Sequence, residues 1–405
     1  MPPLFKRLGW ALLFAAQACR ADFSIPGLEL VHTVPVATAL QTPDLRGPAE
    51  VWRGAFDNAG ERIDIEQFYA AAVPGSALAE VIEHLRRAGE RGVKIRFLLE
   101  EKGLKLSDAA TLDQLKAIPN LTFRTLAYAQ VGGGIIHAKF FVVDGTRAFI
   151  GSQNFDWRSL EHIHETGLWV TDPTIAGQAQ AIFEQDWAAQ AALAAGQAVP
   201  VPTRTGNETA EGQGSYLVAS PGRYNPAGVR DAQQALPRLL AGAQREVRVQ
   251  LLDYAPLSYG PGHTRPYYPV IDNAMRAAAA RGVQIKLMVS NWNLAQPELA
   301  WLQSLARVPN VQVRVVTLPL APQGFIPYAR VIHSKTMEID GQLAWVGTSN
   351  WLGGYLDTSR NLEVVMRNEA MALRIAQLHA QLWDGPYAHV LDVTRDYAPP
   401  HPGSP

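Results

Sequence analysis

Hydrophobic and polar positions along this chain follow two periods in turn, and the order in which they do so occurs twice. RIDIEQFY, from Arg62, is a strand-like run. Leu78, Val81, Ile82 and Leu85 then recur at i, i+3, i+4 and i+7, the spacing of one helix face. RGVKIRFLLE, from Arg91, returns to a strand-like pattern. Later the same order comes again: EVRVQLLDY from Glu246, a helix face marked by Ile271, Met275 and Ala278, then RGVQIKLMVS from Arg281. Each half reads strand, helix, strand, more helix and strand, then a closing pair of strands. This alternation predicts an α/β layer in each of two lobes.

The closing strands carry the strongest match. HAKFFVVDGTRAFIGSQN (137–154) aligns without gaps on HSKTMEIDGQLAWVGTSN (333–350), 196 residues later. His137 falls on His333, Lys139 on Lys335 and Asp144 on Asp340. Gly145 falls on Gly341, Gly151 on Gly347 and Asn154 on Asn350. The chain therefore reads as a duplication. An N-terminal lobe is expected over 22–195 and a C-terminal lobe over 215–392. A Pro-, Gly- and Thr-rich linker separates them over 196–214, and 393–405 reads as a disordered tail.

Residues 1–21 read as a signal peptide. Lys6 and Arg7 precede an apolar run over 8–18 that is too short to span a bilayer, and small residues follow, with cleavage near Ala21. The sole cysteine, Cys19, lies inside this segment, so a chain cut there keeps no thiol and no disulfide. A lipid anchor on Cys19 is the alternative. No later stretch is long and apolar enough for a transmembrane helix. The expected product is exported, to a periplasm or to the medium. Asn207 opens a glycosylation pattern, NET, too short to carry weight.

Composition narrows the chemistry. With 47% hydrophobic and 18% charged residues the chain is globular. With a net charge of −1, whole-molecule attraction to nucleic acid or anionic membrane is not expected, so any affinity for an anion belongs to a local site. The repeated strand offers one. By period-two alternation His137, Lys139, Phe141 and Val143 point one way, and Asp144 points the other with Ala138, Phe140 and Val142. His333 and Lys335 pair in the same manner, with Asp340 opposite. Asp144-Gly145 and Asp340-Gly341 are hairpin turn pairs, and each Asp is expected to be structural. The return strands bring Asn154 and Asn350 back towards the His-Lys end.

Each half thus gathers an imidazole, an ammonium and a carboxamide, a set suited to a phosphoryl group. Lys139, Lys335, Asn154 and Asn350 can hold its oxygens and offset charge built up in displacement. One histidine can attack phosphorus, while the other protonates the leaving oxygen and then activates water. No metal or cofactor is needed. Each imidazole also needs an acceptor on its other nitrogen. Glu165 and Glu363, 28 and 30 residues beyond their own histidines, are the candidates.

Other residues carry less. His162 and His164 stand at i, i+2 without a third metal ligand in view. Trp157, Trp292, Trp351, Tyr267 and Tyr268 can stack bases or seat acyl chains, with packing the default. Arg158 can touch phosphate or pair with Asp156. Ser152 and Thr348 read as structural hydroxyls beside the asparagines.

The two strands are similar to the His-x-Lys-x4-Asp signatures of the phospholipase D superfamily, present twice and intact. NFDWRSLEHIHETGLWV, LDYAPLSY, YYPVIDNAMRAAAARGVQIKLMVSNWN and IPYARVIHSK resemble its animal lysosomal branch and poxviral envelope relatives. The resemblance runs over about 30–387. It implies two pseudo-twofold-related α/β/α sandwich lobes around one metal-free site, and a phosphohistidine mechanism. It makes His137 the nucleophile and His333 the acid and base, and its orienting carboxylate suits Glu165 and Glu363. Lysosomal members carry a membrane anchor and disulfides, whereas this chain lacks the cysteines. Their activity is a 5′-exonuclease on single-stranded nucleic acid, while poxviral relatives act on phospholipids.

The expected function is metal-independent hydrolysis of a phosphodiester, first of a phospholipid head group. The alternative substrate is single-stranded nucleic acid. An apolar rim would suit lipid; a narrow arginine-lined groove with stacking aromatics would suit nucleic acid. Phosphatidyl transfer and a non-catalytic binding protein are the rivals from other classes. No stable protein partner is implied.

Overall fold

A computed structural model describes residues 22–203, 214–260 and 264–404. The signal-peptide reading, Cys19 and Asn207 fall outside these residues, as does most of the linker. Two mixed sheets form the body. The first has eight strands, ordered Ser24–Ile25, Leu28–Thr33, Glu165–Val170, Arg147–Gly151, Phe140–Val143, Arg62–Gln67, Lys94–Glu100, Leu121–Leu126. The second has nine and repeats that order from Ser215–Ser220 through Asn361–Met366, Leu343–Gly347, Thr336–Ile339, Glu246–Leu251, Gln284–Ser290 and Val311–Val316. Short edge strands close it at both ends. The chain is a two-lobed α/β protein.

Helices cover the sheets because each lobe's strands present an apolar face, as Ile63 and Ile65 do in Arg62–Gln67 and Val247 and Val249 do in Glu246–Leu251. In the helix Ala77–Glu90 the residues Leu78, Val81, Ile82 and Leu85 are buried, and the Ser76 hydroxyl caps its start by accepting from Ala79 N at 3.2 Å. They pack with Trp52 and Phe56 on Ile63, Ile65, Phe97, Phe141 and Phe149. The other face of this sheet meets the second lobe. Ala138, Phe140, Val142, Ile150, Leu168 and Val170 share one core with Leu217, Ala219, Val346, Leu362, Val364 and Met366. The predicted alternation therefore holds along the signature strand: its even-numbered apolar residues line the seam between lobes, while Phe141 and Val143 enter the N-terminal core.

Both hairpin turns have two consecutive left-handed residues, as a type I′ turn requires: Asp144 and Gly145 at φ 52° and 71°, Asp340 and Gly341 at φ 59° and 75°. Each aspartate is also a clamp. The Asp144 carboxylate accepts from the backbone N–H groups of Gly60, Glu61 and Arg62 at 3.0, 2.8 and 2.9 Å. Asp340 accepts likewise from Gln244, Arg245 and Glu246 at 2.8, 2.8 and 2.9 Å. The tail, expected to be disordered, is tied down instead. Val393 O accepts from Arg307 at 2.6 Å, Arg395 O from Gln303 at 2.8 Å, and Pro402 O from Tyr328 N at 2.7 Å.

Candidate active site

The backbone draws the two signatures together. His137 N and Ala138 N both donate to Arg360 O, at 2.9 and 2.8 Å. His333 N and Ser334 N both donate to His164 O, at 2.8 and 3.0 Å. Each signature strand is therefore anchored on the opposite lobe, at residues 196 apart. The anchors themselves are locked. Arg360 is wholly buried and forked onto Asp186 at 2.6 and 2.9 Å, with further bonds to Ser220 O and Tyr224 O. The His164 ring meets His32 Nε2 at 3.0 Å, Ser334 Oγ at 3.1 Å and Gln250 Nε2 at 3.0 Å.

The side chains cross the seam in the same way. His333 Nδ1 lies 2.8 Å from Glu165 Oε2, and His137 Nδ1 lies 3.0 Å from Asn361 Oδ1. The Asn361 amide is oriented by its other bonds: Nδ2 donates to Tyr355 O at 2.8 Å, and Oδ1 accepts from Thr348 Oγ1 at 2.8 Å. Its oxygen therefore faces His137, which must hold its proton on Nδ1 and keep the Nε2 lone pair free. Lys139 and Lys335 are wholly buried, and each ammonium donates to the carbonyl of its own histidine, Lys335 at 2.6 Å. The rings of His137 and His333 keep only small openings, at 5% and 8% exposure. Tyr355 packs edge-on against His137 at 4.6 Å, and Phe68 lies 5.9 Å away on another side.

The electrostatics belong to one site. Burial, then the nearby lysines, push both imidazoles well below their ordinary pKa, and His137 also feels His333. Burial lowers Lys139, helped by Lys335, and brings Lys335 down to about 7 against the pull of Glu165 and Asp253. Glu165 is pushed up to about 7, again by burial. Buried cations of this kind carry a cost that a bound anion offsets. Asn154 Oδ1 and Asn350 Oδ1 are buried with no hydrogen-bond partner among the described residues.

Comparison with known proteins fits this geometry. A family model described as "Cardiolipin synthase, PLD-like domain" matches residues 53–187 and 262–383, more than half of the chain. The chain belongs to the phospholipase D-like family. It is 30% identical over 391 residues to Phospholipase D Z of Dictyostelium discoideum, covering 89% of this chain and 90% of that protein. It is also 30% identical over 405 residues to the 5'-3' exonuclease PLD3 of Bos taurus, covering 91% and 81%. Phosphatidylserine synthase from Haemophilus influenzae Rd KW20 shares the fold at TM-score 0.59 and 12% identity, over 85% of both chains. Polyphosphate kinase from Porphyromonas gingivalis does so at TM-score 0.55 and 14% identity, over 91% of this chain and 49% of its own. These last two likenesses are of fold alone.

Two expectations for this phospholipase D-like site need correction. Glu165 does not serve the histidine of its own lobe: it bonds His333, across the seam. Glu363 reaches neither imidazole. Its Oε1 accepts from Ser349 Oγ, and burial raises it to about 8. The reason lies in register. Glu165 opens its strand, and the residue 196 positions on is Asn361, which opens the matching strand two residues before Glu363. Glu363 corresponds instead to Gly167, where the Gln153 side chain fills the space. A long polar side chain lies against the equivalent glycine in each lobe, Gln153 at Gly151 and Glu363 at Gly347.

The repeat offset, applied strictly, would have found Asn361 and Arg360. Nothing in the sequence marks Tyr355. Arg158 pairs with Asp156 at 2.8 Å, Trp351 packs on Trp345 in the core, and Tyr267 stacks on Trp301. His164, weighed as a metal ligand, bonds His32 in the seam.

Proposed function

We propose that this protein hydrolyses a phosphodiester through a phosphohistidine on His137, with His333 as acid and base. The reading rests on the crossed partners of the two imidazoles. A carboxylate compensates an imidazolium; a carboxamide does not. Glu165 thus fits His333 to carry a proton, and Asn361 fits His137 to remain neutral with its Nε2 lone pair available. In the first step Nε2 of His137 attacks phosphorus and the bond to the leaving alcohol breaks as His333 donates its proton. In the second, His333 takes a proton from water, the hydroxide oxygen bonds phosphorus, and the P–N bond breaks. Lys139, Lys335, Asn154 and Asn350 hold the non-bridging oxygens. These residues can do this without a metal.

A phospholipid head group is the substrate proposed first. Single-stranded nucleic acid is the second reading, favoured by the aromatic rings Phe68, Tyr355 and Tyr259 around His137 and by the names of the PLD3 relatives. Residues 1–21 would export the chain, and no helix among the described residues is long and apolar enough to cross a membrane. The deciding experiment quenches enzyme with 32P-labelled substrate in the presence of chelator. Label is expected on wild type and absent from His137→Asn. Label retained by that variant would overturn the assignment. Release of ethanolamine from lipid vesicles, or of nucleotides from 5′-hydroxyl DNA, separates the two substrates.

A further inference from the structure

We infer that Asp253 selects a phosphodiester whose alcohol carries a primary ammonium, as an ethanolamine head group does. The inference rests on the phosphodiesterase reading above and adds a specificity-determining residue to it. Asp253 follows the strand Glu246–Leu251, between Leu252 and Tyr254, whose side chains are buried in the core. Its carbonyl accepts from the N–H of Trp351, the residue after Asn350, at 3.3 Å. That bond sets the Asp253 backbone beside the residue that follows Asn350.

The carboxylate is half-buried, yet it makes no hydrogen bond and no ion pair among the described residues. The nearby cations are engaged elsewhere. Lys335 Nζ donates to His333 O, and Arg265 is held by Glu298 at 2.6 Å while lying on the Tyr259 ring. Asp253 does act on Lys335, Tyr259 and Tyr355 through space. Tyr355 sits against His137, and Tyr259 lies 6.2 Å from Tyr355. Burial raises Asp253 to about 6.

An unpartnered carboxylate beside a phosphate site repels the substrate it serves. It favours a substrate that brings its own positive donor. The Tyr355 ring supplies attraction to any cation, quaternary ones included. The carboxylate adds what a quaternary nitrogen cannot use, an acceptor for N–H. A primary ammonium meets both. A nucleic acid brings a neutral hydroxyl and further phosphates, which Asp253 disfavours.

The test compares wild type and Asp253→Asn on phosphatidylethanolamine, on phosphatidylpropanol, and on bis(p-nitrophenyl) phosphate. Wild type is expected to prefer the ethanolamine lipid about tenfold or more in kcat/KM, the worth of one charged hydrogen bond. The variant is expected to lose that preference through KM, its loss on the ethanolamine lipid exceeding its loss on the nitrophenyl ester about tenfold. An equal loss on all three substrates overturns the inference, as does an unchanged preference, or a loss confined to 5′-hydroxyl oligonucleotides. A parallel arm measures calorimetric binding of phosphoethanolamine and of propyl phosphate. If wild type cleaves no phosphodiester, the phosphodiesterase reading fails. The binding arm then still decides: equal affinity for the two ligands in wild type refutes the role of Asp253.

Discussion

His333 of the C-terminal repeat hydrogen-bonds Glu165 of the N-terminal repeat, Nδ1 to Oε2 at 2.8 Å. The matching bond in the other direction joins His137 to an amide, Asn361. A pseudo-symmetric frame thus holds two chemically unequal imidazoles. Glu165→Gln makes them alike and leaves the protonated form of His333 without its counter-charge. A fall of about a hundredfold in kcat is expected, the low end of the range for one acid–base group. Asn361→Asp should raise the pKa of His137 and move the acid limb of the kcat/KM–pH profile upward. Unchanged pH profiles in both variants would remove the basis for assigning different roles to the two rings.

His333→Asn separates the two chemical steps. A nitrophenolate leaves without needing a proton, so bis(p-nitrophenyl) phosphate should still phosphorylate His137 in this variant. Hydrolysis of the intermediate requires a base and should stall. Stopped-flow absorbance is expected to show a burst near one equivalent followed by a steady rate lowered about 10²–10⁴-fold. His137→Asn should show no burst. Equal bursts from the two variants would mean that the nucleophile has been misassigned.

Much of this arrangement is legible in the sequence. The two periods place the helices and strands, and the repeat of 196 residues places both signatures on equivalent strands. The expected pairing of each histidine with a glutamate of its own lobe fails for a topological reason. Strands Glu165–Val170 and Asn361–Met366 start at the seam, where the nearest imidazole belongs to the other repeat. Spacing along one repeat carries no information about a contact made across two. Glu363 misleads because the position equivalent to Glu165 holds a carboxamide, not a second carboxylate. Asp253 gives no signal either: an aspartate after a strand is ordinary until its carboxylate is found without a partner.

Asp144 and Asp340 carry stability. Each accepts three backbone N–H bonds and ties a hairpin turn to the start of a neighbouring strand. Part burial works against their charge, yet these N–H groups hold both below the ordinary aspartate pKa. Asp144→Asn and Asp340→Asn retain the left-handed turn, which Asn tolerates, but lose the charge and one acceptor. Each should cost about 1–3 kcal/mol in denaturant unfolding. Activity per folded molecule should stay within about twofold of wild type at low temperature. Loss of activity without loss of stability would place these carboxylates in the chemistry.

Glu363 gives stability a pH dependence with a definite sign. Burial raises its pKa from an ordinary 4.5 to about 8. The folded chain therefore keeps a proton that the unfolded chain releases between those values. The resulting stabilisation is complete below pH 4.5 and is lost as pH rises through about 8. The decline is at most about 1.4 kcal/mol per pH unit. Lys335, lowered to about 7, acts oppositely above neutrality, since there the unfolded chain binds the extra proton. Wild-type curves alone cannot separate these groups from each other or from Glu165, which burial raises to about 7, but Glu363→Gln can. The glutamine keeps an acceptor for Ser349 Oγ and does not titrate. Urea midpoints measured from pH 5 to 9 should fall less steeply in the variant, with the gap in its favour widening towards pH 8. Turnover should be unchanged, because Glu363 touches neither histidine. Parallel midpoint curves would show that this carboxyl does not hold its proton, and lost turnover would return Glu363 to the site from which register removed it.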